Sequence, residues 1–458
     1  ALTVNTTGAS NVAVGTYALD ANTTANNSVA VGYGALTTNT ASSGNVAVGK
    51  GALETFNVAS GNGYNTAVGG SAGEAVEGDF STALGYAALA TQRSDATNQA
   101  VYNVAVGAYA ANALTTAINS TFLGGNAGGA AAITGDDNTG VGYSALAVLT
   151  SGAGNTALGS SALDANTTGD YNVAIGKSSL SANTTADSNV AVGTNALEVN
   201  TTGTRNVAVG TNTADACTIG RYNTSMGYNA LSTDIDGDYT VAIGYGALYT
   251  QESDGANQAV YNTAVGASAG VSLTSGIRNT FVGALAAGSG TVTGDENTGI
   301  GFTALYALTS GTDNVAVGEC GGAITSGSTN TCINGGAVTT GSNNSFLGYE
   351  SGQSGSPGGA ITTGSNEIVL GNDNITEAHI QVDWTVASDE RDKTDFTALD
   401  LGLDFVNALA PITYKWDKRS KYGDKTADDY DLNAQVPDGT HKEDWLDIGF
   451  KAQEVEAL

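Results

Sequence analysis

Positive charge is scarce in this chain. Fifteen Lys and Arg stand against 44 Asp and Glu, a net charge of -29 over 458 residues. That balance makes nucleic acid and anionic membrane surfaces poor partners, and it suits a soluble particle that avoids its own copies. Long apolar runs are missing too: no stretch of 18 apolar residues exists, so no membrane-spanning helix is encoded. Cys217, Cys320 and Cys332 form no metal-ligand spacing and leave an odd count, so they are expected to be small buried hydrophobes. No metal or cofactor is expected, and His379 and His441 have no obvious partner. Neither an initiator Met nor a signal peptide opens the sequence, which leads us to expect a piece of a longer product.

The scarce residue types are also badly distributed. Only Lys50, Arg93, Lys177, Arg205, Arg221 and Arg278 precede residue 388, so nine of the 15 basic residues (15 minus 6) lie in the last 71 positions. Pro357, Pro411 and Pro437 are late, as are Trp384, Trp416 and Trp445. Composition alone places a boundary near 375–388.

What fills the first part is a repeat. Asn11-Val12-Ala13-Val14-Gly15 returns at 45–49, 65–69 and 103–107, and in relaxed form it can be placed 21 times, with closing residues from Gly15 to Gly371. The commonest spacing is 17 residues. Such a period signals one stacked body, not several domains. Helical repeats are excluded, because Gly and β-branched residues stand where a helix wants Ala, Leu, Lys and Glu. The glycine-rich calcium-binding nonapeptide is absent, so bound calcium has no support. Alternation puts the second and fourth residues on one strand face, expected to be buried, and the central Ala on the other, expected to be closely approached. The closing residue is Gly at 20 of 21 positions and Asn334 at the other, which reads as a demand for left-handed backbone and not for a small side chain. A second short apolar element follows, as at Ser161-Ala162-Leu163, and then a polar corner such as Asn166-Thr167-Thr168-Gly169. Each unit should therefore be a flattened coil of two short strands. Stacking would bring the leading Asn, present in 16 of 21 units, into a hydrogen-bonded ladder. Twenty-one rungs would make a rod of roughly 100 Å.

These units resemble the left-handed parallel β-roll of trimeric autotransporter adhesin heads, and the collar and shaft repeats of bacteriophage tail fibres. The expected fold class is therefore an all-β repeat, a parallel β-roll or β-solenoid, trimeric by that resemblance. Over residues 1–375 it carries a duplication. Gln92-Arg93-Ser94-Asp95 through Asn103 recurs as Gln251-Glu252-Ser253-Asp254 through Asn262, offset by 159 residues (251 minus 92). The five residues beyond 17 in these rungs should leave the roll as loops at 92–103 and 251–262. Tyr33, Tyr86, Tyr143, Tyr228, Tyr245 and Tyr349, with Phe302, follow the closing glycine and form a candidate surface aromatic column.

Residues 376–387 read as a connecting strand, with Ile380, Val382, Trp384 and Val386 alternating with polar neighbours. Beyond it lie S-D-E-R-D-K-T-D at 388–395, L-G-L-D-F-V at 401–406, P-I-T-Y-K-W at 411–416 and G-F-K-A-Q-E-V at 449–455. The second block reads as a helix and the third as a strand. Residues 388–458 resemble the intramolecular chaperone of endosialidases and related phage tail spikes, a self-cleaving serine peptidase family. The resemblance implies a small α+β domain, the start of a longer one, that trimerises the fibre, guides folding and then cuts itself off. It assigns Ser388 as nucleophile, Lys393 as base and Ala387–Ser388 as the bond cut, through a lysine whose pKa falls on burial. Asp392 departs from the family, which has an apolar residue before the lysine.

The function expected is a structural fibre of a bacteriophage tail, or of a related contractile particle, lying outside the cell as part of a virion. Its partners would be two further copies, other tail or baseplate proteins, and a host-surface receptor, with a glycan as one candidate. A trimeric bacterial surface adhesin is the alternative. Acidic residues of the repeat sit mostly at corners with no recognisable pair, so glycan cleavage is not expected.

Overall fold

A computed structural model describes residues 1–377 apart from 57–62, 94–99, 130, 254, 256–257, 321–322, 337 and 357–358, and then 379, 408–417, 422, 434, 436–442, 444 and 446–451. The chain divides into two compact units, Ala1–Ala378 and His379–Leu458.

Among its described residues the first unit is a parallel β-solenoid with one sheet of 21 strands of three residues each, from Val12–Val14 to Ile368–Leu370. Every strand pairs with the next rung in register, so Val173, Ala174 and Ile175 sit beside Val190, Ala191 and Val192. β-Branched residues at the two outer strand positions favour this extended backbone. One face of the strand is opposite to expectation. The central Ala points inward and is buried, as at Ala174, Ala191 and Ala208, while the flanking aliphatics point outward. The reason is the width of the coil. Leu163, Leu180 and Leu197 come from the far side of each rung and fill the interior, so only a methyl fits opposite them. Each fully buried Leu contributes roughly 1.5–3 kcal/mol.

Where a larger residue replaces the Ala, the facing side shrinks. Phe122 is fully buried because Gly128 and Gly140 face it. A Cβ on Gly128 would lie 2.6 Å from the ring, and one on Gly140 3.0 Å. The duplication repeats the solution with Phe281 against Gly270 and Gly299, at 3.1 and 3.4 Å.

The second side of each rung is not a β-strand. Ser161 and Leu163 have φ of 54° and 52°, as do their equivalents in neighbouring rungs. Ser161 N–H donates back to Tyr143 O at 2.9 Å, and Leu163 N–H donates forward to Ser179 O at 3.1 Å. Left-handed residues thus turn successive peptides alternately down and up the axis, so buried amides are satisfied without a strand. The closing glycines also differ from expectation. Gly210 has φ +137°, outside the left-handed helical well that Asn tolerates, and a Cβ there would lie 2.5 Å from Gly227 O. Both conformation and space require glycine.

The Asn ladder is present. Asn172 N–H donates to Asn155 Oδ1 at 3.0 Å, and Asn189 N–H to Asn172 Oδ1 at 3.0 Å. Each side-chain amide also donates to a corner carbonyl, as Asn172 Nδ2 does to Ala186 O at 2.8 Å. A second interior column runs through the corners: Asn183 Nδ2 donates to Asn166 Oδ1 at 3.0 Å, and Asn200 Nδ2 to Asn183 Oδ1 at 3.2 Å. It ends at Cys217, which leaves Asn200 Oδ1 buried without a hydrogen bond. Burying these columns is favourable only because nearly every polar atom is matched. The remaining cysteines correct the sequence reading, for Cys320 and Cys332 form a disulfide across adjacent rungs.

In the second unit, Ile412–Tyr414 and Asp447–Gly449 pair as an antiparallel ribbon. The strand expected over 376–387 and all but Ala408 and Leu409 of the helix expected at 401–409 lie outside the described residues.

Candidate functional site

Three places could carry function. Among the described residues of the second unit, the antiparallel ribbon brings two of the sequence blocks together. Ile412 lies opposite Gly449, Thr413 opposite Ile448, and Tyr414 opposite Asp447. The Tyr414 ring packs edge-to-face on Trp416, with centroids 5.3 Å apart, and also covers Gly449, where a Cβ would lie 3.2 Å from it. Asp417 accepts from Tyr422 Oη at 2.7 Å and from Gly439 N at 2.8 Å, and Tyr422 Oη in turn accepts from His441 N at 3.2 Å. The P-I-T-Y-K-W and G-F-K blocks are thus neighbours through the ribbon and through the Tyr414 ring on Gly449. Residues 388–458 match the chaperone of endosialidase family. The chain therefore joins a tail-fibre-like β-roll to an endosialidase-type chaperone segment. No curated protein matches the chain. Ser388, Lys393 and the Ala387–Ser388 bond of the chaperone segment lie outside the described residues.

Surface aromatics of the roll are the second place. Besides the column after the closing glycine, rings also stand directly before the Asn ladder. Tyr222, Tyr239 and Tyr261 stack at 4.9 and 5.2 Å with interplanar angles of 2° and 16°. Tyr64, Phe80 and Tyr102 do the same at 5.6 and 5.3 Å, both at 20°. Arg205 extends the first stack, with its guanidinium 5.4 Å from the Tyr222 ring and Nη1 donating to Tyr222 Oη at 2.9 Å. Ring faces in these stacks are turned on one another, which leaves edges for solvent. The sequence signal was available, because each ring stands one residue before a leading Asn or its Ser or Thr replacement. At the loops, Gln92 and Gln251 turn inward: Gln251 Nε2 donates to Asp234 Oδ2 at 2.8 Å, and Gln251 Oε1 accepts from Asn262 Nδ2 at 3.0 Å. Residues 94–99, 254 and 256–257 of those loops lie outside the described residues.

The third place is where the repeat breaks. Closing residues 318, 334, 348 and 371 are 16, 14 and 23 apart, and Asn334 replaces glycine with φ 54°. A cavity of about 450 Å³ opens there, lined by Glu319, Asn334, Gly335, Tyr349, Glu350 and Gln353. Glu319 and Glu350, distant in sequence, both line this cavity. Tyr349 is hydrogen-bonded to Glu350, and that bond with the surrounding negative charge raises its phenol pKa. Asn372 Nδ2 donates to Glu350 Oε2 at 3.3 Å. Among the described residues neither glutamate forms an ion pair, and no cluster of three His, Cys, Asp or Glu side chains is placed to hold a metal. No described helix is long and apolar enough to cross a membrane.

Proposed function

We propose that the chain is the shaft of a homotrimeric fibre of a bacteriophage tail or related contractile particle, working outside the cell in host attachment. One observation carries the trimer: the outward face of the sheet is an aliphatic stripe. Leu158 is 47% exposed and Met226 41%, and the same strand position holds Val, Leu, Ile or Met from rung to rung. A stripe of that length is far larger than the apolar patch a monomer usually exposes. Three copies meeting along it would remove it from water at roughly 25 cal/mol per Å². The chaperone match supports this reading over a bacterial surface adhesin.

In this reading residues 1–375 are the shaft, 376–387 a connecting strand and 388–458 the chaperone segment. Lys393 takes the proton of Ser388 Oγ, which attacks the Ala387 carbonyl. The amide C–N bond breaks as Ser388 N gains a proton, leaving an Ala387–Ser388 ester. Water hydrolyses that ester to free the chaperone, with Ser388 at its amino terminus, once the trimer has formed. Other tail or baseplate proteins and a host-surface receptor complete the set of partners.

Light scattering on the eluted full chain tests the assembly. A trimer is expected, and Val190→Asp with Val192→Asp should give monomers without loss of the rung fold. A monomeric wild type, or a trimer indifferent to both aspartates, would overturn the interface. Intact mass tests the cleavage: the chain should lose residues 388–458, and Ser388→Ala should keep them. Equal masses would remove the peptidase assignment.

A further inference from the structure

We infer that the cavity at the broken rung is a binding site for a neutral or amino sugar, taking one or two pyranose units of a surface glycan. The inference rests on the attachment reading above and gives it a location. In the regular part of the roll, the closing glycines stack so closely that no side chain fits between them, and the edge is sealed. At Asn334 the glycine stack is interrupted although the ladder continues. Asn334 N–H donates to Val317 O at 2.9 Å, but the Asn334 side chain, and not a glycine, lies over Gly318, and Gly318 and Gly348 relax to φ +90° and +110°. The resulting recess of about 450 Å³ falls in the usual range for small-molecule sites.

Its lining suits a polyol. Glu319 and Glu350 offer carboxylate oxygens to adjacent hydroxyls, and Asn334 and Gln353 can both donate and accept. Tyr349 is 73% exposed, and no aromatic ring packs on it among the described residues, so it can receive the apolar face of a pyranose. Tyr228 on the same edge instead stacks on Tyr245, with centroids 5.8 Å apart. Charge narrows the ligand further. Two carboxylates and no basic residue line the cavity, so uronic acids, sialic acids and phosphates are repelled, whereas an amino sugar is attracted.

The test is saturation-transfer NMR on the full chain. The probes are methyl glucoside, methyl galactoside, methyl mannoside, N-acetylglucosamine, glucosamine and glucuronate. At least one neutral or amino sugar should bind, and glucuronate should not. Tyr349→Ala and Glu319→Gln should each weaken binding at least tenfold. Tyr143→Ala, in the same column on an intact rung, should leave it unchanged, and thermal melts should show all variants folded. Binding of none of these sugars, preference for glucuronate, or equal binding by the cavity variants would overturn the assignment. The two readings fail separately: a trimer that binds no sugar refutes the cavity and leaves the fibre, and a monomer that binds one does the reverse.

Discussion

Asp234→Asn should stabilise the roll at neutral pH and lose most of that advantage in acid. Asp234 occupies the corner column that holds Asn166, Asn183 and Asn200 elsewhere, and its side chain is buried. Burial pushes its carboxyl from 3.8 up to about 6, with the charge of Asp236 adding to the effect and hydrogen bonds from Gln251 and Gly237 opposing it. The folded state therefore holds the proton more tightly than the unfolded chain does. The contribution of the group is most favourable below 3.8 and is lost as pH rises through 6. The shift of about two units amounts to ~3 kcal/mol at pH 7, about half that at pH 5, and under ~1 kcal/mol at pH 4. Asp234 accepts Gly237 N on Oδ1 and Gln251 Nε2 on Oδ2, so asparagine should remove the penalty by taking both donors on its single oxygen, an arrangement the molecule already contains. Asn166 Oδ1 accepts from both Gly169 N at 3.2 Å and Asn183 Nδ2 at 3.0 Å, while Asn166 Nδ2 donates to Gly169 O at 3.0 Å. At position 234 the same roles fall to Gly237 N, Gln251 Nε2 and Gly237 O. Solenoid rungs open locally, so amide exchange in peptides covering 217–262 is the suitable assay, with 139–176 as internal control. Protection in the variant should rise about a hundredfold at pH 7 and about tenfold at pH 5. A gain that does not change between the two pH values, or no gain, would show that the buried carboxylate is not the source.

Gly210→Ala should destabilise its rung by more than about 3 kcal/mol, because it combines a forbidden φ with a clash against backbone. Amide exchange across 190–244 would report it, and wild-type protection would refute the stacking argument. The Cys320–Cys332 bond closes a 12-residue separation and should stabilise the end of the roll by roughly 3 kcal/mol. Thiol titration in denaturant without reductant should find one group per chain, Cys217, and three after reduction. Finding three at the outset would remove the bond.

Much of this fold is legible because each rung repeats the same argument. The period, the parallel stacking and the Asn ladder all follow from residues that recur at fixed spacing. The inward and outward faces do not, because V-A-V alternates equally well either way. What decides is the Leu on the far side, which occupies the interior that Val would otherwise need. The left-handed backbone at Ser161, Leu163 and Tyr171 is also hidden, since none of these types advertises positive φ as glycine does. The disulfide was obscured by an odd cysteine count, because Cys217 belongs to a different column. The cavity could have been found. Its marks are the one failed glycine and the spacings of 16, 14 and 23, read as a break and not as noise.

Breaks in a repeat are informative because the regular rung leaves so little freedom. Its inward positions are fixed by Ala against Leu, its edges by stacked glycines, and its polar interior by two amide columns. A rung that departs from all of these loses contacts to both neighbours, so a departure persists only where the chain is compensated. At Phe122 and Phe281 the compensation is steric and visible in the facing glycines. At Cys217 and Asp234 it is incomplete, which leaves an orphaned Asn200 oxygen below and a strained titration above. Around Asn334 a disulfide holds the distorted rungs together, while two carboxylates and an exposed tyrosine face solvent. Packing accounts for the disulfide. Glu350 is held by hydrogen bonds to Tyr349 and Asn372, whereas Glu319 lines the cavity without an ion pair among the described residues, and there the proposed sugar would add a partner.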